Sequence, residues 1–221
     1  MDEPGTGPTA RQIAAFDFDG TLTKRDTVLP FLVRLFGARR VGRAVSRVAP
    51  TAARARLGRL EGELHHRDVV KERLLHVLFH GQDPDHVASV GRSFAETLPA
   101  RLQAETMARV AWHREQGHAL VIVSASLLAY LEPFAAEHGF DHVIGVGLEV
   151  GENGRLTGRL TGPNVRGPEK EVRLRAWLGD GPRTIWAYGN SSGDRELLAM
   201  ADHPTWVTPT RRRPGPREQR L

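Results

Sequence analysis

The sequence predicts an α/β protein, a parallel sheet covered on both faces by helices, with a helical block inserted behind its first strand. Three observations carry this. Residues 12–17, 119–123 and 184–188 are short apolar runs, each followed by turn chemistry and then a helical pattern. Apolar strands separated by helices belong to sheets buried on both faces, and such sheets are parallel. Residues 27–98, by contrast, contain several helical stretches and no convincing strand. A chain of 221 residues suits one α/β unit with an insertion better than two independent domains.

In chain order, residues 1–10 are rich in Pro, Gly and Thr and read as a disordered terminus. Residues 11–26 and 99–210 form the core, and 27–98 the helical cap, its helices broken at Pro50, Gly58 and Gly81-Gln82-Asp83-Pro84. A helix over 101–116 stops at Gly117 and leads into the second strand; another over 127–138 stops at Gly139. Residues 148–160 alternate weakly about Glu152-Asn153-Gly154, an Asn-Gly turn signal that predicts a short β-hairpin flap, peripheral to the chemistry. The four tryptophans, Trp112, Trp177, Trp186 and Trp206, read as core or core-edge packing. The last segment, 211–221, holds five arginines, two prolines and a glycine and reads as a basic disordered tail.

Composition excludes several function classes. With no cysteine, disulfides, thiolate catalysis and cysteine-ligated zinc are ruled out. No apolar run approaches the roughly 20 residues of a membrane span, and residues 1–10 lack the basic-then-apolar order of a secretory signal, so a soluble, cytoplasmic protein is expected. The formal charge of +5 and the pI near 10.3 favour anionic partners. The basic tail carries no interleaved aromatic residue for base stacking, so no specific nucleic-acid role is expected.

Chemistry concentrates in Ala15-Phe16-Asp17-Phe18-Asp19-Gly20-Thr21-Leu22-Thr23. A chain leaving its strand at Asp17 can turn both carboxylates towards one pocket at the strand's carboxyl end, where open α/β sheets place ligands. Asp17 is suited to attack phosphorus, and Asp19 to protonate a leaving alcohol and later activate water. In Val121-Ile122-Val123-Ser124-Ala125-Ser126, a buried strand ends in a hydroxyl that can hold a phosphoryl oxygen together with an adjacent N–H. Lys170, in Gly167-Pro168-Glu169-Lys170, offers an ammonium to offset the charge of Asp17 and phosphate. A third apolar strand feeds the loop Tyr188-Gly189-Asn190-Ser191-Ser192-Gly193-Asp194, which supplies hard oxygen donors of the kind Mg²⁺ prefers.

The first of these stretches, Asp-x-Asp-Gly-Thr-Leu-Thr, resembles the nucleophile loop of the haloacid dehalogenase superfamily of phosphohydrolases, and the other three follow in superfamily order. The wide gap between Asp17 and Ser124 is similar to the branch containing phosphoserine phosphatase, whose helical cap follows the first motif. The resemblance implies a Rossmann-like core, Mg²⁺ dependence and hydrolysis of a small phosphomonoester through an aspartyl-phosphate. Asp17 and Asp19 become catalytic, and Gly20, Ser124, Ala125 and Lys170 bind phosphate. The metal is held by Asp17, Asp19 through its backbone carbonyl, and the acidic loop, with Asp194 as ligand or ligand-orienting residue. Asn190 stands where the commonest pattern has aspartate; it keeps a carbonyl oxygen but lacks the charge. Phosphoserine phosphatases typically carry Ser where this chain has Gly20 and Glu where it has Asp26, so Asp26 reaches a substrate ammonium with a shorter arm.

Residues 34–60 hold eight arginines (34, 39, 40, 43, 47, 54, 56 and 59), with no acid before Glu61. This face is expected to be largely solvated; its further readings are gathering an anionic substrate or lying on an acidic membrane surface, as a phospholipid-headgroup phosphatase would. Upstream, Val28, Leu29, Phe31, Leu32, Val33, Leu35 and Phe36 read first as the cap's own core and second as an interfacial helix. His65, His66, His76, His80 and His86 crowd the cap's second half; a metal site is the lesser reading of them and surface histidines the greater. With an alcohol as acceptor the same residues would make a phosphotransferase. The rival from another class is a catalytically silent module that binds a phosphorylated ligand or an acidic surface.

Overall fold

The computed structural model describes residues 11–56 and 66–208. The predicted terminal disorder and Gly58 fall outside them. Five parallel strands stand in the order β3 (His142–Val146), β2 (Ala119–Leu127), β1 (Arg11–Phe16), β6 (Arg183–Gly189) and β7 (His203–Trp206). The first, β1 (Arg11–Phe16), pairs with both β2 and β6. The chain then builds outwards on one side through β2 and β3 and on the other through β6 and β7. Strand order therefore reverses at β1, and the crevice at its carboxyl end is the topological switch point. Ile13, Ala14, Ala15 and Phe16 have no exposure, as a centre strand covered on both faces requires.

Between β1 and β2 the chain forms α1 (Val28–Phe36), α2 (Ala38–Arg56), α3 (His66–Phe79) and α4 (Pro84–Ala95). Phe31 and Leu32 of α1 are buried, Phe31 lying against Phe94 within the block and Tyr130 outside it, so the apolar cluster is core, continuous with that of the sheet, and not the block's alone. Leu29 and Val33 remain exposed. Helix α2 buries Val41, Ala44 and Val48 and turns Arg39, Arg43 and Arg47 outwards, an amphipathic division. It also runs straight through Pro50, contrary to the expected break there. Proline removes a single amide donor, a local cost that a helix anchored by Val41, Ala44 and Val48 in the turns before it can absorb. The break at Gly81 holds: Gly81 has φ +75, and Asp83 caps α4 by accepting from the amides of Asp85 and His86.

The core continues with α5 (Ala104–Glu115), β2 (Ala119–Leu127), α6 (Leu128–Glu137) and β3 (His142–Val146). The second strand does not end at Val123. It resumes pairing with β3 at Leu127 after an irregular stretch, which lifts Ser124, Ala125 and Ser126 out of the ladder. Next come the antiparallel pair β4 (Leu148–Val150) and β5 (Leu156–Leu160), then α7 (Pro168–Leu178), β6 (Arg183–Gly189), α8 (Arg195–Ala199) and β7 (His203–Trp206).

The predicted hairpin is present, and it braces the insertion. Leu156 N donates to Gln82 O at 2.9 Å, Gly81 N to Leu156 O at 2.8 Å, and Arg155 pairs with Asp83 at 2.9 Å. His80 Nδ1 lies 3.0 Å from Thr157 O, and His76 packs against Gly158. Among the described residues no group of three or more His, Asp or Glu is placed to hold a metal ion, and His65 lies outside those residues. Trp177 and Trp186 pack at the core edge as expected, but Trp112 and Trp206 are exposed. Among the described residues no helix is long and apolar enough to cross a membrane.

Candidate active site

The site grows out of the end of β1. Asp17 N makes the last ladder bond, to Tyr188 O at 2.9 Å, after which the chain leaves the sheet. Asp19 is extended (φ −76, ψ 111) and Gly20 has φ +84, a value that favours glycine. A Cβ on Gly20 would also lie 2.0 Å from Asn190 Nδ2. The motif's glycine is thus needed twice, to make the turn and to let the loop after β6 close upon it. Gln103 ties the turn down, donating from Nε2 to Gly20 O at 2.7 Å and Thr21 O at 3.0 Å.

Asp17 is 6% exposed. Its Oδ1 accepts from Lys170 Nζ at 2.6 Å and its Oδ2 from Thr21 Oγ1 at 3.0 Å. Lys170 is buried in the first turn of α7 and also donates to Asp194 Oδ1 at 2.6 Å. The other Asp194 oxygen accepts from Asn190 N, Ser191 N and Ser191 Oγ at 3.1, 2.8 and 2.8 Å. Both Asp194 oxygens are therefore engaged in holding Lys170 and the loop that presents Asn190. Burial alone would push the Lys170 ammonium down, yet Asp17 and Asp194 together hold its pKa above the ordinary lysine range. Burial would likewise raise Asp194, but Lys170 and the Ser191 donors hold it below the usual carboxylate range. Burial pushes the Asp17 carboxyl up against the pull of Lys170; with both carboxyls ionised, one buried cation between them leaves this trio a negative charge in excess.

Asp19 is held by a separate network. Thr27 donates to its Oδ1 from the amide at 2.8 Å and from Oγ1 at 2.6 Å; Ser126 Oγ donates to its Oδ2 at 2.5 Å. With its proton given to Asp19, Thr27 Oγ1 accepts from the buried Tyr130 hydroxyl at 3.0 Å. Burial, reinforced by the charge of Asp26, raises the Asp19 pKa to about 7, while the donors from Ser126 and Thr27 oppose the rise. A carboxyl poised there can both give and take a proton near neutrality.

Asp19, Asp26 and Ala125 line a common cavity of about 290 Å³, together with Leu29, Lys71 and Arg166. Asp26 is exposed and accepts from Leu29 N at 3.0 Å, capping α1. Ser124 is buried and does not line this cavity; its Oγ accepts from Ser126 N at 3.1 Å, which leaves its own O–H free to donate. Lys71 of α3 reaches over the cavity, its Nζ donating to Ala125 O and to Asn164 Oδ1; Asn164 in turn donates to Asp68 Oδ1 at 2.6 Å. Burial lowers the Lys71 pKa to about 8 against the pull of Asp19 and Asp68.

The predicted residues Asp17, Gly20, Lys170, Asn190 and Asp194 thus meet directly, with Asp19, Asp26 and Ala125 at the adjoining cavity. Sequence reasoning missed Thr27, Ser126, Tyr130, Lys71, Asn164 and Gln103. Ser126 carried a local signal, two residues beyond Ser124 on the same strand, as did Thr27, next to Asp26; Lys71, Gln103, Tyr130 and Asn164 arrive from elements remote in sequence.

The donor set suits Mg²⁺. Asp17, the Asp19 carbonyl and the Asn190 amide are hard oxygen donors on two apposed loops, and the excess negative charge of the buried trio favours a cation. Few carboxylates completed by water and phosphate is a common Mg²⁺ arrangement.

Residues 14–199 match the haloacid dehalogenase-like hydrolase family. Protein CicA of Caulobacter vibrioides is 36% identical over 202 residues, covering 90% of this chain and 88% of the relative. A phosphoserine phosphatase of Archaeoglobus fulgidus is 26% identical over 86% of this chain and 51% of its own length. Among solved structures, a protein of unknown function from Bordetella pertussis Tohama I superposes with a TM-score of 0.69 at 26% identity, over 86% of this chain and 87% of that one.

Proposed function

This chain belongs to the haloacid dehalogenase-like hydrolases, and from that premise we propose that it hydrolyses a small phosphomonoester with Mg²⁺, through an aspartyl-phosphate on Asp17. The observation that carries the reading is the division of labour between the two carboxylates. Asp17 is bridged by Lys170 to Asp194, while Asp19 stands apart in its own donor network at a pKa of about 7. Burial pushes both carboxyls up, Asp17 against the opposing Lys170 ammonium, so it is their partners that set the roles apart: Asp17 is fixed by Lys170 and Thr21, and Asp19 by Thr27 and Ser126 on the cavity wall.

In the first step a carboxylate oxygen of Asp17 bonds to phosphorus as the ester P–O bond breaks, and protonated Asp19 gives its proton to the departing alcohol oxygen. In the second, Asp19 as carboxylate takes a proton from water, whose oxygen bonds to phosphorus; phosphate leaves and Asp17 is restored. The Ser124 hydroxyl with the Ala125 N–H, Gly20 and Lys170 bind the phosphoryl oxygens. Asp17, the Asp19 carbonyl and Asn190 would hold Mg²⁺, with Asp194 fixing the loop; the ion supplies charge neutralisation at the phosphoryl group. The helical insertion covers the site as a cap.

The silent-module reading draws on Asn190, which weakens the metal's electrostatic hold. The Asp19 network speaks against it, since binding alone has no use for a carboxyl poised to transfer a proton. Phosphate release from a panel of phosphomonoesters, with and without Mg²⁺, separates the two. Turnover should require Mg²⁺ and fall by about a thousandfold or more in Asp17→Asn. No release from any ester at saturating Mg²⁺ would overturn the enzyme reading.

A small phosphorylated substrate is the partner this site implies. The outward arginines of α2 suit an anionic surface by charge alone, and co-sedimentation with acidic vesicles at low salt tests that contact.

A further inference from the structure

Of the two cations that line the catalytic cavity, one is committed and the other is not. Lys71 spends its ammonium on Ala125 O and Asn164 Oδ1, clasping the insertion to the core. Arg166 forms no ion pair among the described residues, and its guanidinium has a single long contact, Nη2 to Ser192 Oγ at 3.4 Å. The side chain is nonetheless placed with care. Arg166 N donates to Asn164 O at 2.7 Å, fixing the turn from which it projects. Its stem lies over Gly193, where a Cβ would come within 2.9 Å of Cγ and Nε. A side chain at 193 would push the Arg166 stem aside.

Arg166 also stands where two spaces meet. It lines the 290 Å³ catalytic cavity that contains Asp19 and the groove of about 650 Å³ that runs past Ser192, Arg195 and Glu196. Asp68 and Asn164 line both as well, so the two spaces adjoin at Arg166. A phosphoryl group at Asp17 sends its leaving alcohol into this cavity, past Asp19. Asp19, Asp26 and Asp68 line the cavity, and Glu72, Glu169 and Glu196 the groove beside its other cation, Arg195; Arg166 is the one cation among the described residues that lines both.

We propose that Arg166 is the receptor for a second anionic oxygen group, carried by the leaving alcohol. The substrates of this site are then phosphomonoesters that bear a carboxylate or another phosphate a few atoms from the scissile ester. A planar guanidinium binds such a group through two parallel N–H donors, a fork that lysine lacks. The inference deepens the phosphatase reading and depends on it for the orientation of the leaving group.

The test uses the full chain with Mg²⁺ and two ligands of one carbon skeleton, 3-phosphoglycerate and glycerol 3-phosphate, which differ by a carboxylate in place of a hydroxymethyl. Each is measured as a competitive inhibitor of p-nitrophenyl phosphate turnover, in the natural protein, Arg166→Gln and Arg166→Lys. The natural protein should prefer 3-phosphoglycerate by about tenfold or more. Arg166→Gln should bring the ratio close to one, and Arg166→Lys should restore part of it. Equal inhibition by both ligands in the natural protein overturns the proposal. So does a preference that survives Arg166→Gln, or a proportional loss of both ligands and of p-nitrophenyl phosphate, which would assign Arg166 to the phosphoryl group or to the fold. If the natural protein releases no nitrophenol, the phosphatase reading fails by itself, and calorimetric binding of the same two ligands still decides the role of Arg166.

Discussion

Asn190 places an amide where a charge would be expected, and the surrounding residues show what that does. Its side chain lies against Gly20, beside a trio already carrying one cation for two carboxylates. Asn190→Asp is nearly isosteric, so it changes charge without changing shape. Without metal, the new carboxylate faces Asp17 and Asp194 and should lower the melting temperature. With metal, the added charge should lower the half-saturating Mg²⁺ concentration by about tenfold, since ligand charge count tunes affinity for hard cations. Thermal shift against Mg²⁺ concentration reads both effects without requiring turnover. An unchanged Mg²⁺ dependence would remove Asn190 from the ligand set. Asp17, Lys170 and Asp194 could each be read from sequence because each sits at a strand end or a helix start, where local patterning is loud. Tyr130, Lys71 and Asn164 could not, because what recruits them is proximity across the fold and no spacing encodes it.

The same contrast holds for the elements. The centre strands β1, β2 and β6 were visible as apolar runs, since burial on both faces leaves no polar alternation. The outer strands β3 and β7 were not: His142–Val146 contains Gly145, and His203–Trp206 is an exposed edge containing Pro204. The hairpin was visible through its Asn-Gly turn, but its task was not, because bracing is a tertiary relation. Gly158 makes that task testable. It has φ +79, and a Cβ there would lie 2.7 Å from His76 O on α3. Gly158→Ala should therefore destabilise the protein by about 1–3 kcal/mol, from backbone strain and from the forced separation of β5 and α3. Hydrogen exchange should show the loss first at the amides of Leu156 and Gly81, which bond across this junction. Protection unchanged at those two amides would mean that the hairpin does not hold the insertion in place.

For the molecule as a whole, the buried histidine His113 links stability to pH. It lies on α5 with no exposure, its Nε2 2.9 Å from the Tyr188 hydroxyl of β6 and its Nδ1 2.8 Å from Nδ1 of His118. Phe16 of the centre strand packs edge-on against its ring. One of the two facing Nδ1 atoms carries a proton and the other accepts it, so a further proton would set N–H against N–H. Burial, aided by the charges of His118 and Arg109, lowers the His113 pKa to about 4. An unfolded histidine titrates near 6.5. Above that value neither state binds the proton and His113 contributes no pH dependence. Between about 6.5 and 4 the unfolded chain binds it and the native chain does not, so stability falls as pH falls, by at most about 1.4 kcal/mol per pH unit. Below about 4 both states bind it and the loss levels off. Urea denaturation of the natural protein and of His113→Gln at several pH values should give the variant lower stability at pH 7 but a shallower decline towards pH 4. Parallel declines would show that water reaches His113 in the native state, and that the junction between α5 and the central sheet is wetter than its packing implies.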